Sequence, residues 1–377
     1  MKKSTFILIF LVFVAALLVW VGFMTKQSNQ VQAASVEEIT TKWEGSGHAD
    51  RESEAFIHWN EDDPAVVPPV CAKCHSSAGF IDYVGADGST AGTVDVPGRI
   101  NDPINCSACH NDTAHALDKV EFPSGMSMSG TEMNSLCMTC HGGMGSGVAV
   151  AKVVEGKAED EVLPDQSMMS NHYHTAAAVN AGADGGNGYQ YEGKTYVGMF
   201  KHAPTADSCI SCHDPHSLHI NAAPSGDTGL CQTCHSDVAG YQDYKTVNMS
   251  KVDYDGDGTV EPVYDEILGV KAILVEAINK YTAATGNGDA WGYAPNYPYA
   301  FIDTNKDGTL SEDEAVFANG FKNFTPRSLK AAFNFMFVEK EPGAYVHNAK
   351  YVLQLMYDSI EDLSAISGVT TQGLTRP

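Results

Sequence analysis

The chain has 377 residues, 43% of them hydrophobic and 9% aromatic, which excludes disorder and leaves room for two domains. Its formal charge of −24 excludes nucleic acid and anionic membrane surfaces as partners. The same acidity suits cations and basic proteins, and it also keeps an exported chain soluble.

In chain order, Lys2 and Lys3 precede an apolar run from Phe6 to Met24, and Val31-Gln32-Ala33-Ala34 follows a polar stretch. A positive start, an apolar stretch and small residues mark an export signal cut near Ala33 or Ala34. The run is also long enough to remain as a membrane anchor, so residues 1–34 are signal or anchor. Either outcome places the remainder in the periplasm or outside the cell. Residues 35–60 are expected to be helical and carry Trp43, His48 and His58, before Pro64, Pro68 and Pro69 break the chain.

A pentapeptide then occurs five times, at Cys71-Ala-Lys-Cys74-His75, Cys106-Ser-Ala-Cys109-His110, Cys137-Met-Thr-Cys140-His141, Cys209-Ile-Ser-Cys212-His213 and Cys231-Gln-Thr-Cys234-His235. C-x-x-C-H is the pattern of covalent c-type haem attachment. Two thiols on one short turn reach the two vinyl groups of a porphyrin, and the adjacent imidazole sits under the iron. All ten cysteines fall inside the motifs. Zinc ribbons or a disulfide scaffold would not place a histidine after every second cysteine. Five covalently bound haem c groups are the reading, spread over residues 35–246.

Between motifs three and four, residues 142–165 read as an exposed loop with one short element. Asn171-His172-Tyr173-His174 follows, then an alanine run expected to be helical and a glycine-rich loop ending at His202. Motifs four and five are separated only by residues 214–230, so their haems should lie close together.

Beyond motif five the composition changes. Asp303, Asn305, Asp307, Gly308, Thr309, Ser311 and Glu314 fit the twelve-residue EF-hand calcium loop at each ligand position. A hard cation takes six to eight oxygens, and only a sharp turn converges them from one short segment. Asp253, Asp255, Asp257, Gly258 and Thr259 open a second such loop whose twelfth position is Tyr264. Its candidate closing acids, Asp265 and Glu266, arrive late, and Pro262 could reshape the loop so that one reaches the ion. One or two calcium ions are therefore expected in an EF-hand-like insertion over residues 247–320. Ile267, Leu274, Ile278 and Tyr281 recur between the loops at helical spacing. In residues 321–377, Thr325-Pro326 starts a helix with Leu329, Phe333, Met336 and Phe337 on one face, and a final helix carries His347.

Nine histidines remain outside the motifs, so every iron can be closed by a second imidazole, which predicts low-spin haems at low potential. Ser46-Gly47-His48-Ala49, Asp214-Pro215-His216 and Val346-His347-Asn348 resemble segments of exported multihaem cytochromes c of the cytochrome c554 and multihaem nitrite reductase-like groups. That resemblance implies His48, His216 and His347 as distal ligands. Position and context add His58, His172 and His202, six candidates for five places, with His115, His174 and His219 in reserve. Nitrite reductases of that group carry a lysine in one motif and an open haem; all five motifs here end in histidine.

The expected fold is therefore mainly α and coil, packed around five haems that replace a conventional core, with a helical EF-hand-like calcium module. The expected role is electron transfer in respiratory or extracellular chains, with redox proteins or an external acceptor as partners. A reductase of a nitrogen or sulfur oxyanion and a subunit of a cytochrome filament are the alternatives.

Overall fold

The computed structural model describes residues 34–377 apart from 132, 204–205, 221–228, 233, 237–240 and 287. The apolar signal or anchor run lies outside the described residues. No helix among the described residues is long and apolar enough to cross a membrane.

The first half is a succession of short helices. α1 (Val36–Glu44) starts on a capping box between Ser35 and Glu38. It stops at Gly45, so His48 sits on the turn beyond the helix rather than on it. α2 (Glu54–Ile57), α3 (Pro69–His75), α4 (Ser77–Tyr83), α5 (Cys106–Cys109) and α6 (Asp112–His115) follow. β1 (Lys119–Glu121) pairs antiparallel with β2 (Ser127–Ser129), ahead of α7 (Asn134–His141) and α8 (Gly147–Val154). α8 occupies the segment expected to be mainly loop. α9 (Ala176–Gly185) is the alanine run, and α10 (Cys209–Cys212) and α11 (Gly229–Gln232) carry the last two motifs. Helices of one or two turns do not hold themselves together in water. The apolar clusters around them are small: Phe80, Val84, Ala108 and Ala114 form one, and Val120, Phe122, Met138, Ala177 and Ala181 another.

The second half differs. α12 (Val263–Thr285), α13 (Pro326–Glu339) and α15 (Ala349–Ser367) pack together over an antiparallel hairpin of β3 (Ala290–Tyr293) and β4 (Ala300–Asp303). Leu274, Ile278, Tyr281, Trp291, Phe333, Phe337, Tyr351 and Leu355 are fully buried in one core. Each such side chain contributes about 1.5–3 kcal/mol by leaving water. The expectation that haem packing replaces a conventional core is thus corrected for the second half. α12 shares one apolar core with the last helices. α13 is buried on nearly every side, from Leu329 to Val338.

The last helical stretch is broken. α14 (Ala344–His347) ends where Asn348 caps α15, its side chain accepting the Tyr351 N–H. The Asn348 carboxamide also donates to Gly198 O at 3.1 Å, which ties this break to the loop after α9. α9 packs on both α7 and α14 and so joins the two halves.

Candidate haem and calcium sites

In motifs one to four the two cysteines stand three residues apart within one short helix, near its end in motifs one and three, so their thiols lie on neighbouring positions of one face; in motif five only Cys231 lies within α11. α3 begins with Pro69 in its first turn, and α5 is capped by the Asn105 side chain on Ser107 N–H. None of the ten cysteines forms a disulfide.

Each motif histidine faces a second imidazole. The ring centroids lie 5.8 Å apart for His75 and His172, 6.1 Å for His110 and His216, and 6.4 Å for His141 and His48. They lie 6.5 Å apart for His213 and His347 and 5.9 Å for His235 and His202. A metal about 2.0 Å from one nitrogen of each ring would separate the centroids by roughly 6.2 Å. The five pairs therefore fit an iron between them, beside two thiols that would become thioether sulfurs.

Hydrogen bonds orient these rings. Nδ1 of His75 is 2.8 Å from Ala55 O, that of His141 2.8 Å from His174 O, and that of His213 3.0 Å from Leu218 O. A carbonyl partner fixes the proton on Nδ1 and leaves Nε2 bare for a metal. Nδ1 of His347 instead faces the Glu341 carboxylate at 3.1 Å. Burial lowers the pKa of His75, His141 and His172, and it brings His48 down to about 4, with the His141 ring adding to the effect. These imidazoles are neutral near pH 7, the form a metal requires.

Local contacts hold the loops that carry several of these histidines. His172 and His174 both take left-handed backbone conformations, with φ of 86° and 51°, unusual for residues with a Cβ and concentrated at functional sites. The Asp214 carboxylate accepts the His216 and Ser217 N–H groups at 3.0 and 2.9 Å and pairs with Lys42 at 2.6 Å. Burial opposes its ionisation, but these hydrogen bonds, led by Lys42, hold its pKa near 2. The turn that presents His216 is thereby tied to α1, which leads to His48.

His58 is placed differently from the other five candidates. Its side chain is largely exposed and pairs with Glu54 at 2.8 Å. Its ring packs on Trp59, and among the described residues no ring contact joins it to a motif histidine. Of the reserves, His115 also meets the His110 ring, at 5.7 Å with the planes at 83°, close to the geometry of the His75–His172 pair, so motif two has two imidazoles against it. His174 supplies the backbone carbonyl to His141, and His219 is exposed.

The attachment sites touch one another. Cys74 Sγ lies 3.9 Å from Cys140 O, and Cys140 Sγ lies 3.7 Å from Lys73 O, so motifs one and three meet. Motif four meets motif three through a Cys137–Cys209 thiol contact and through Asn134, which accepts the Cys209 N–H at 2.9 Å. The Asn180 carboxamide donates both to His347 O and to Phe200 O, joining the segments that carry His347 and His202.

The two loops expected to bind calcium differ from one another in detail. In the second, Asp303 is fully buried at the end of β4. One of its carboxylate oxygens accepts Gly308 N–H at 2.9 Å and Asn279 Nδ2 at 3.2 Å; the other has no partner. A buried carboxylate oxygen without a donor is a site for a cation. Asn305, Asp307 and Ser311 close successive turns of the loop, and Glu314 is held at about 2 by hydrogen bonds from Thr304 and Ser311. Thr309 donates both its N–H and its hydroxyl to Asp307.

In the first loop Asp253 accepts the N–H groups of Gly256 and Gly258, and Asp257 accepts that of Thr259. The loop is closed by Glu266, the later of the two candidate acids. It is fully buried, and its carboxylate oxygens lie within 4.8 Å of those of Asp253 and Asp255. Glu266 accepts from Tyr254, Asp255 and Glu261 backbone N–H groups, while Asp265 takes no part in these bonds. Burial, reinforced by Glu266, Asp257 and Asp253, pushes the Asp255 carboxyl up, a crowding that a cation would relieve. Gly269 makes room for this carboxylate, because a Cβ there would stand 1.8 Å from Asp255 Oδ2. The flanks differ from an EF-hand: α12 follows the first loop, but residues 247–252 before it are not helical and β4 leads into the second.

A doubled C-x-x-C-H motif model matches residues 202–240, which span motifs four and five. The chain is 24% identical to the C-type polyheme cytochrome OmcB of Geobacter sulfurreducens, over 90% of its own length and 50% of that protein. It is likewise 24% identical to the C-type polyheme cytochrome OmcC of the same species, over 87% of its length and 46% of that protein. The findings support a multihaem c-type cytochrome. The chain spans about half the length of the curated relatives it matches. No solved structure matches it.

Proposed function

We propose that the chain is an exported pentahaem cytochrome that conducts electrons through bis-histidine haems in respiratory or extracellular electron transfer. The observation that carries this reading is the pairing of every motif imidazole with a second one at 5.8–6.5 Å. Haem iron supplies reversible one-electron chemistry in which no bond forms or breaks. The chain supplies the rest. Cys71, Cys74, Cys106, Cys109, Cys137, Cys140, Cys209, Cys212, Cys231 and Cys234 would attach five porphyrins. The axial pairs would be His75 with His172, His110 with His216, His141 with His48, His213 with His347 and His235 with His202.

Close contact between motifs one, three and four, and the Asn180 bridge toward motif five, favour conduction over isolated carriers. The five pairs leave no motif imidazole without an opposite ring, which favours a conduit over a reductase with an open site. Calcium at Asp253, Asp255 and Glu266, and at Asp303, Asp307 and Glu314, would staple α12 and the β3–β4 hairpin to the core. Redox proteins or an external acceptor are the partners this reading implies. Haem quantification with metal analysis of the exported holoprotein tests it: five haems and one or two calcium ions per chain are expected, and fewer than five haems would refute it.

A further inference from the structure

The ten imidazoles paired above do not share one environment. The Nδ1 partners of His75, His141 and His213 are neutral backbone carbonyls. His347 alone, among the described paired histidines, faces a carboxylate. That carboxylate belongs to Glu341, which is 4% exposed. Its Oε1 accepts the Gly343 N–H at 2.9 Å as well as facing His347, and its Oε2 is buried with no hydrogen-bond partner. No lysine or arginine among the described residues pairs with it. The local sequence makes the approach feasible: a Cβ at Gly343 would stand 2.6 Å from His347 Cε1 and 2.8 Å from Glu341 Oε1.

A carboxylate accepting the Nδ1–H of a ligating imidazole strengthens that imidazole as a donor, and its charge favours the more positive state of the metal. Resting on the reading that His347 closes the iron opposite His213, we propose that Glu341 is the positioning residue that makes the Cys209–Cys212–His213 haem the lowest in potential of the five. Glu341 also lies near enough to His141 to act on that ring, so motif three feels a weaker push in the same direction. The transfer involved is a single electron, ferrous to ferric, with no change in bonding. The low-potential site then lies between motif three and motif five, and it sets the height of the step that an electron must climb to pass.

The test uses the full-length holoprotein with haem-resolved potentiometry, following haem methyl resonances by NMR. H347M exchanges the distal ligand and identifies, by the resonances it moves, which haem His347 serves. In the native protein that haem is expected to be the last reduced. E341Q keeps the shape and hydrogen-bonding reach of the side chain, and it should favour reduction of the same haem by about three- to tenfold, tenfold being about 59 mV. If H347M leaves all five low-spin spectra and potentials unchanged, the axial assignment itself has failed. If H347M moves one haem but that haem is not the last reduced in the native protein, or E341Q leaves its potential in place, the assignment stands and the role of Glu341 is overturned. The native measurement decides even where E341Q fails to fold.

Discussion

Removal of calcium tests how the second half of the molecule supports the first. The loops frame α12: Glu266 on its first turn closes one, and Asn279 on its fifth holds Asp303 of the other. A ligand at about a hundred times its dissociation constant stabilises the folded state by about 2.7 kcal/mol, so two occupied loops contribute about 5 kcal/mol. For a chain of this size, with an unfolding entropy of about 2.1 cal/mol/K per residue, that moves Tm by roughly 5–10 °C. The assay is thermal unfolding in excess calcium and in excess chelator, followed at once by far-ultraviolet circular dichroism and by the Soret band. E266Q should remove about half of the difference and D265N almost none, because Glu266 rather than Asp265 faces Asp253 and Asp255. Since α12 also packs against α14, chelation should loosen His347 and perturb one haem spectrum before global unfolding. Coincident melting curves with and without chelator would refute the staple, and an unchanged Soret band would refute its link to His347.

Among the histidines, H216A should turn one haem of five high-spin, whereas H58A should leave all five low-spin, since His58 pairs with exposed Glu54. H115A should resemble H58A, because the His110–His216 separation of 6.1 Å is nearer than the 5.7 Å of His110–His115 to the roughly 6.2 Å that an iron between two rings requires. Low pH tests burial at His48, whose pKa is lowered from 6.5 to about 4. A lowered histidine pKa means the unfolded chain binds more protons between those values, so the stabilisation is complete above about pH 6.5 and is lost as pH falls toward 4. Iron on the ring nitrogen would oppose protonation further, so the His48–His141 haem should stay low-spin at about pH 5; a conversion centred on 6.5 would contradict the buried placement.

The attachment pentapeptides were legible because their chemistry is local: two thiols and an imidazole must lie on one turn. The second imidazoles are a different matter. His48 and His347 stand far from His141 and His213 in sequence, and no spacing encodes their meeting; counting leaves nine histidines for five places, and resemblance with context narrows them only to six. His58 shares the apparent virtues of His48, and only its salt bridge to Glu54 and its exposure separate the two. The break at Asn348 was hidden because the asparagine could equally continue a helix or cap one, and tertiary contacts to Gly198 decide it. The core of α12, α13 and α15 was visible as helical periodicity, yet its assembly into one body was not, since periodicity reports a buried face and not what covers it. Glu266 was visible only as one of two late acids. Pro262 caps α12 and sets its first turn, and that geometry turns Glu266, not Asp265, toward the loop.

The central claim, that five irons are each closed by two imidazoles, is tested most directly by electron paramagnetic resonance of the oxidised holoprotein with haem quantified on the same sample. The account predicts five haems per chain and only low-spin ferric signals. A high-spin signal amounting to about one haem in five would contradict it: one ring pair would then be open, and a substrate-binding iron would take the place of the conduit.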